Sequence, residues 1–295
     1  MAGADRHQTT AASGVRHPAW RAGHDDALSG TPTRTSLMAY AAFDLTGQVA
    51  LITGGNGGIG LGMAKAVAQA GADVAIWGTN AAKNAAAKAE LDKTGRQVLA
   101  LEVDVGDEVA VTQGFAATLK ALGRVDGCFA NAGVSGRGGH TSFSDMPTDE
   151  WKRVTRINLD GAFYTFRAAA KHMVERGGGG VLVGTSSLAA ISGPPRNEHY
   201  AATKSAMIGM IRSLAVEYAR YGIRAHAVLP GWIETDMTAG LMANPKFADN
   251  VLKRVPMRRW GTGDDFGGIA VYAMSSASRF HTGDTFLIDG GYALF

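Results

Sequence analysis

Three side chains in the stretch SSLAAISGPPRNEHYAATK, Ser186 to Lys204, have types and spacings that suit proton chemistry: Ser187, Tyr200 and Lys204. Tyr200 and Lys204 are four residues apart, so on a helix they share one face about a turn from each other. A phenol with an ordinary pKa of about 10 exchanges protons poorly at neutral pH. An ammonium beside it favours the phenolate, lowers that pKa and makes the tyrosine a usable acid or base. Ser187 closes the apolar run before this helix, where its hydroxyl could polarise a carbonyl or hold an alcohol. A Tyr-x-x-x-Lys pair alone carries little weight, because many helices contain one. It gains weight only if a nucleotide site lies on the same edge of the same sheet.

The elements needed to hold such a site are legible from residue 47 onward. QVALITGG, DVAIWGT, QVLALEVDV, VDGCFANAG, GGVLVGTSS, IRAHAVLPG and DTFLIDGG read as strands: short apolar runs bounded by turn residues. Between them lie segments with helical spacing, such as GIGLGMAKAVAQAGA and EHYAATKSAMIGMIRSLAVEYARYG. TDEWKRVTRINLDGAFYTFRAAAKHMVER is long enough for one extended helix with Thr148 as N-cap. Strand–helix alternation predicts an α/β fold, one doubly wound parallel sheet with helices on both faces. Ligands of such sheets sit outside the carboxyl ends of the strands.

The first of those strand ends is Thr53-Gly54-Gly55-Asn56-Gly57-Gly58-Ile59-Gly60, opening a helix. Glycines there permit a sharp turn and let backbone N–H groups approach a pyrophosphate, which the helix N-terminus also favours. Gly54, Asn56, Gly58, Ile59 and Gly60 are therefore candidate dinucleotide contacts. Asp104, ending the third strand, suits either acceptance from an adenine amino group or plain solvation. Asn131, Ala132 and Gly133 follow the fourth strand and fit either a turn or a backbone approach to the same ligand.

Composition narrows the function classes. The 295 residues are 46% apolar and 19% charged, enough for a sizeable core. The net charge is only +3, with no basic stripe, which argues against nucleic acid. No apolar run approaches the roughly 20 residues of a membrane span. The one cysteine, Cys128, excludes an intramolecular disulfide and a multi-cysteine metal site, and its apolar setting suits a buried hydrophobe; no metal is expected. Residues 1–42 lack periodicity and the apolar centre of a secretion signal, so a disordered extension is expected there, with Met38 as a candidate natural start, and the catalytic domain over 43–295 in the cytoplasm.

Taken in order, TGGNGGIG, DV at Asp104 and Val105, NAG, Asn158 in RINLDGAF, Ser187, Tyr200, Lys204 and PGWIETDM at 230–237 resemble the short-chain dehydrogenase/reductase family, single-domain type with a Tyr-x-x-x-Lys site. The resemblance spans residues 43–295 and implies a Rossmann-type domain that interconverts a ketone or aldehyde and an alcohol with NAD(P). It implies that Tyr200 passes the proton and that Ser187 stabilises the substrate oxygen. Lys204 would bind the nicotinamide ribose and tune Tyr200, and Asn158 would hold a water linking Lys204 to solvent. Asn158 fits a plain bond to neighbouring backbone as well. Pro230, Gly231, Ile233 and Thr235 match the segment that packs on the nicotinamide end. The family also implies a homotetramer, or a homodimer, through helices at about 148–175 and 199–221, where the apolar residues Phe163, Phe166 and Ala170 fit either such an interface or packing on the sheet.

The chain departs from the family's pattern twice. Ala130 stands where a first asparagine usually precedes Asn131, which removes one sheet-bracing side chain. The second strand ends in Gly78-Thr79-Asn80, with neither the carboxylate of NAD-preferring members nor the arginine of many NADP-preferring ones. Without a carboxylate to repel it, a 2′-phosphate could be held by Thr79, Asn80 and Lys83, which favours NADP(H) narrowly over NAD(H). The segment after Thr235, carrying Met237, Leu241, Met242 and Phe247 with a break at Pro245, is placed to cover a small-molecule carbonyl or alcohol substrate; its apolar residues suit either a substrate with some hydrophobic bulk or packing of the segment itself. Arg196, Glu198 and His199 beside Tyr200 are candidates to read polar groups. Two alternatives remain. A 3-oxoacyl thioester reductase would need a basic patch such as Arg258-Arg259, and a non-catalytic nucleotide sensor would not need the acid/base group. An enoyl reductase of the superfamily would have a longer Tyr-to-Lys spacing.

Overall fold

Every glycine-bounded apolar run becomes a strand of one sheet, because such runs can be buried on both faces only where helices cover both. The computed structural model describes residues 40–136 and 139–294. The strands are β1 Val49–Thr53, β2 Asp73–Gly78, β3 Val98–Glu102, β4 Gly127–Ala130, β5 Gly180–Thr185, β6 Ile223–Pro230 and β7 Thr285–Ile288, all paired parallel in the order β3-β2-β1-β4-β5-β6-β7. β1 and β4 are buried at every residue, whereas the edge strands β3 and β7 are partly open. The chain runs outward from β1 to β3 and then returns to β4. That reversal opens a crevice at the carboxyl ends of β1 and β4, where the glycine loop lies.

The helices are α1 Gly58–Gln69, α2 Ala81–Leu91, α3 Glu108–Leu122, α4 Thr148–Thr155, α5 Gly161–Arg176, α6 Glu198–Tyr218, α7 Asp236–Met242, α8 Pro245–Arg254 and α9 Gly267–Met274. They make two cores. On one face Val111, Phe115, Phe166, Met173, Met207 and Ile211 pack on Leu51, Cys128 and Leu182; on the other Met63, Val67, Leu91 and Phe266 pack on Ile52, Ile76 and Phe129. Side chains of this size stabilise by about 1.5–3 kcal/mol each when fully buried. Cys128 is fully buried, and burial pushes its thiol pKa well up, so it is inert packing.

Several sequence expectations need correction. The N-cap of α4 is Pro147, whose carbonyl accepts from Glu150 and Trp151 N–H, and Thr148 is already helical. The expected extended helix is interrupted by a π turn, Arg156–Asp160, between α4 and α5. Phe166 and Ala170 face the sheet of their own chain, and only Phe163 is exposed, under the Arg167 guanidinium. The expected break at Pro245 is present: the segment after Thr235 forms two short helices, α7 and α8, and Pro245 opens the second, where its missing N–H costs nothing. The extension expected over 1–42 lies outside the described residues up to residue 39, as does Met38; Ala41–Phe43 form a 3-10 turn, and Ser276 Oγ donates to the Ala42 carbonyl at 3.3 Å. No helix among the described residues is long and apolar enough to cross a membrane.

Candidate active site

The glycine loop turns directly off β1. Gly54 (φ +63°) and Gly58 (φ +49°) hold left-handed backbone that side chains resist. A Cβ at Gly60 would overlap the Gly54 carbonyl and sit 2.6 Å from Asn131 Nδ2, so only glycine lets α1 start this close to the loop. At Gly57, by contrast, a Cβ would meet nothing within 4 Å. The loop therefore presents a bare backbone surface at a helix N-terminus, the surface a dinucleotide pyrophosphate requires. The residues present fit a dinucleotide. Beside the loop lies a cleft of about 510 Å³ lined by Asn56, Gly57, Gly58, Lys83, Thr235 and Asp236 among others.

The end of β2 has a structural reason to be glycine. A Cβ at Gly78 would overlap the Asn56 side-chain amide and lie 2.6 Å from Asn84 Oδ1. Asn56 Nδ2 donates to Asn84 Oδ1 at 2.7 Å, while Asn84 Nδ2 donates to the carbonyls of Gly78 and Leu101 at 3.0 Å each. This amide pair ties the loop to β2 and β3, and Asn84 was not apparent from sequence because it reads as one polar residue in an alanine-rich helix. Thr79 and Asn80, after β2, are exposed, and Asn80 Oδ1 caps α2 through the Lys83 N–H at 2.9 Å. Asp104 is committed within the protein: one carboxylate oxygen accepts from Gly106 N–H at 2.9 Å and the other from Arg156 at 3.0 Å. Val105 is buried beside it, and Ile59 is partly buried in the α1 core.

Asn131 braces three strands. Its Nδ2 donates to the Thr53 carbonyl at 3.0 Å and its Oδ1 accepts from Thr185 at 3.1 Å, so β1, β4 and β5 are clamped where the sheet opens. That explains why Ala130, buried in the core, needs no amide of its own. Ala132 and Gly133 follow, with the Ala132 N–H donating to Thr53 Oγ1 at 3.0 Å.

Ser187, Tyr200, Lys204 and Asn158 lie around this same sheet edge. Ser187, after β5, accepts from Ala189 N–H at 3.1 Å, while its neighbour Ser186 donates to the Lys204 carbonyl at 2.6 Å and anchors α6. Lys204 Nζ donates to the Thr185 carbonyl at 2.8 Å and stands 5.5 Å from the Tyr200 ring centroid. The lysine is 3% exposed, and burial pulls its pKa down to about 8. A cation held in low dielectric acts strongly on whatever lies beside it. Asn158 projects from the π turn and is fully engaged: Oδ1 accepts from Val134 N–H at 2.8 Å, and Nδ2 donates to the Val134 carbonyl at 3.1 Å and to Thr203 Oγ1 at 3.3 Å. A Cβ at Gly133 would lie 3.2 Å from Asn158 Oδ1 and 3.4 Å from Lys204 Nζ, so these residues converge on one spot. Thr185, Val134 and Thr203 were not singled out by sequence, since they act through backbone carbonyls or short hydroxyls.

The segment after β6 is equally fixed. Pro230 ends β6, Gly231 packs against Asp289, Ile233 is 4% exposed, and Thr235 caps α7 through a reciprocal bond with Thr238. Thr235 Cγ2 lies against Gly58, which brings this segment over the glycine loop. Of the polar candidates beside Tyr200, His199 is fully buried against Glu150 at 3.4 Å, and Arg153 holds the Glu150 carboxyl below its usual pKa. Glu198 accepts from the Arg196 N–H at 2.9 Å.

The chain is similar to known proteins. Residues 54–293 match a family model described as Enoyl-(Acyl carrier protein) reductase. The chain is 34% identical over 249 residues to gluconate 5-dehydrogenase of Gluconobacter oxydans (strain 621H), covering 84% of this chain and 96% of that protein. It is 35% identical over 250 residues to a 3-oxoacyl-[acyl-carrier-protein] reductase of Chlamydia muridarum (strain MoPn / Nigg), with coverage of 84% and 98%. A solved structure of a gluconate 5-dehydrogenase from Burkholderia cenocepacia J2315, in complex with NADP and tartrate, superposes with a TM-score of 0.80 at 33% identity over 86% of this chain and 98% of that one. With the fold, the glycine loop and the Ser187, Tyr200, Lys204 arrangement in place, the chain belongs to the short-chain dehydrogenase/reductase family.

Proposed function

We propose that the protein is an NAD(P)-dependent oxidoreductase that interconverts an alcohol and a ketone or aldehyde, with Tyr200 as general acid/base. The observation that carries this reading is Lys204. Its ammonium is buried and held on the Thr185 carbonyl, beside Tyr200 and two strands along the sheet from the one that feeds the glycine loop. A buried cation is retained at a cost in stability, and it lowers the barrier to deprotonating a phenol next to it. A nicotinamide dinucleotide supplies the hydride when bound. The protein's part is to orient the partners and move the proton. Gly54, Asn56, Gly58, Ile59 and Gly60 would hold the pyrophosphate, with Asp104, Val105, Asn131, Ala132 and Gly133 along the adenosine and ribose. Pro230, Gly231, Ile233 and Thr235 would hold the carboxamide end. Ser187 would fix the substrate oxygen, Tyr200 would give or take its proton, and Lys204 would hold Tyr200 near the ionised state. Asn158, by fixing Val134 and the start of the following loop, would keep a water path to Lys204.

The cofactor reading favours NADP(H), since β2 ends in Gly78 with no carboxylate to repel a 2′-phosphate, exposed Thr79 and Asn80 follow it, and Lys83 lines the cleft; the Burkholderia neighbour carries NADP. Its name and that of the Gluconobacter relative support a polyhydroxylated acid or its keto form as substrate. The Chlamydia relative supports the second reading, reduction of a 3-oxoacyl thioester. Against it, Arg259 is committed to Asp265 through two bonds of 2.7 Å and Arg258 donates to the Lys253 carbonyl at 2.6 Å, so this pair is not a free basic patch. Exposed Phe163 and Val216 on α5 and α6 support assembly of copies through those helices, as a homodimer or homotetramer. The test is NADPH oxidation with a panel of keto-acids derived from sugars, run against a 3-oxoacyl thioester. Turnover of neither, with dinucleotide bound, would sink the substrate assignments and leave only the fold.

A further inference from the structure

The cleft beside the glycine loop is poorly matched to an anionic ligand as it stands. Its lining includes three carboxylates, Glu90, Glu234 and Asp236, and one lysine, Lys83. Glu90 is offset by Lys65, which lies outside the lining at 3.2 Å. Lys83 is bound to Asp236: its Nζ donates to Asp236 Oδ2 at 2.6 Å. The pair spans 153 positions of sequence and joins the first turn of α2 to the first residue of α7, across the mouth of the cleft. A Cβ on Gly58 would lie 2.8 Å from Cγ2 of Thr235, the neighbour of Asp236, and Gly57 and Gly58 line the same cleft as the bridged pair, so the bridge lies beside the glycine loop. Both side chains are open to solvent, 51% and 82% exposed, and α7 has no buried residue. An exposed pair of this kind is weak and readily exchanged.

We propose that Asp236 and a phosphate of the dinucleotide are alternative anionic partners of Lys83, so that cofactor binding transfers Lys83 from the α7 carboxylate to the cofactor. The inference rests on the oxidoreductase reading above and adds a residue, Asp236, that tunes cofactor affinity while belonging to the substrate-covering segment. Two phosphates are within the chemistry, the 2′-phosphate found only in NADP(H) and the pyrophosphate common to both dinucleotides. If Lys83 goes to the first, exchange sharpens cofactor choice; if to the second, it acts on both cofactors alike.

The test is a four-way binding cycle on the full chain: wild type, Asp236→Asn, Lys83→Gln and the double variant, each titrated with NADPH and with NADH by nucleotide fluorescence. Both positions are exposed, so the variants fold. Asp236→Asn is expected to tighten binding about threefold, the worth of one exposed ion pair, and Lys83→Gln to weaken it about tenfold. In the Lys83→Gln background the Asp236→Asn gain should vanish. A gain confined to NADPH assigns the 2′-phosphate, and an equal gain for both assigns the pyrophosphate. An unchanged Kd for Asp236→Asn overturns the exchange. So does a gain that persists in full without Lys83, which would be simple relief of charge repulsion. Binding of neither dinucleotide by wild type would overturn the oxidoreductase reading and this inference with it. Binding without coupling overturns the exchange alone.

Discussion

Two regions near the carboxyl edge of the sheet are built on opposite principles. Around the proposed proton-transfer site, Lys204, Asn158, Thr185 and Asn131 are buried or half-buried, and each has named partners from at least one other element. Beside the glycine loop, Thr79, Asn80, Lys83 and Asp236 are exposed, and Lys83 and Asp236 are linked by one surface ion pair. A proton-transfer site needs charge held without reorganisation, which favours burial and fixed dipoles. A site that must admit and release a large anionic cofactor needs a boundary that opens at little cost. The contrast implies that substitutions in the first region act on rate and stability, and those in the second on affinity alone.

The largest effect expected is that of Tyr200→Phe. Removing the phenolic proton should lower kcat by about 10²- to 10⁴-fold, while NADPH affinity stays near wild type; steady-state kinetics and a binding titration check it. Asn158→Ala should come next. It leaves the Val134 N–H and carbonyl and the Thr203 hydroxyl short of a partner, at about 1–3 kcal/mol of stability by urea denaturation, with kcat falling too.

Lys204→Met separates the two kinds of effect. The lysine's pKa is about 8 when folded against an ordinary 10.5, so below about pH 8 folding works against protonated lysine in the core. The unfolded chain binds more protons between those values, hence wild-type stability attributable to this group rises as pH climbs through that window. Met lacks the charge, so at pH 7 the variant should be more stable by on the order of 1–3 kcal/mol and lose most activity. Thermal melts at pH 7 and pH 10 should show the gain shrinking at the higher pH. A destabilised Lys204→Met would mean that the bond to Thr185 outweighs burial.

The elements were legible because local signals agreed. Apolar runs bounded by glycine gave the seven strands, and helical spacing gave the segments between. Ser187, Tyr200 and Lys204 stood out because spacing alone carries two of them onto one helix face. What was hidden depends on contacts distant in sequence. The π turn at Arg156–Asp160 reads as ordinary helix in RINLDG, yet it turns Asn158 toward Val134, 24 positions away. Phe166 and Ala170 differ from Phe163 only in helical phase, which decides between sheet and solvent. The commitment of Asp104 to Arg156 and the crowding of Gly78 by the Asn56 and Asn84 side chains have no local signature at all.

The smallest effects should come from exposed pairs away from the cleft. Lys88→Ala breaks an i,i+4 pair with Asp92 of 2.8 Å and should cost no more than about 0.5 kcal/mol, with kinetics unchanged.

The central claim is that Lys204 and Tyr200 form the proton-transfer pair beside a bound dinucleotide. Its most direct test is single-turnover hydride transfer from NADPH to a keto-acid that wild type reduces, measured against pH for wild type and Tyr200→Phe at equal dinucleotide saturation. The account predicts that wild-type transfer follows the ionisation of this pair and that Tyr200→Phe transfers slowly with the pH dependence lost. A Tyr200→Phe variant as fast as wild type, with the same pH profile, would contradict it.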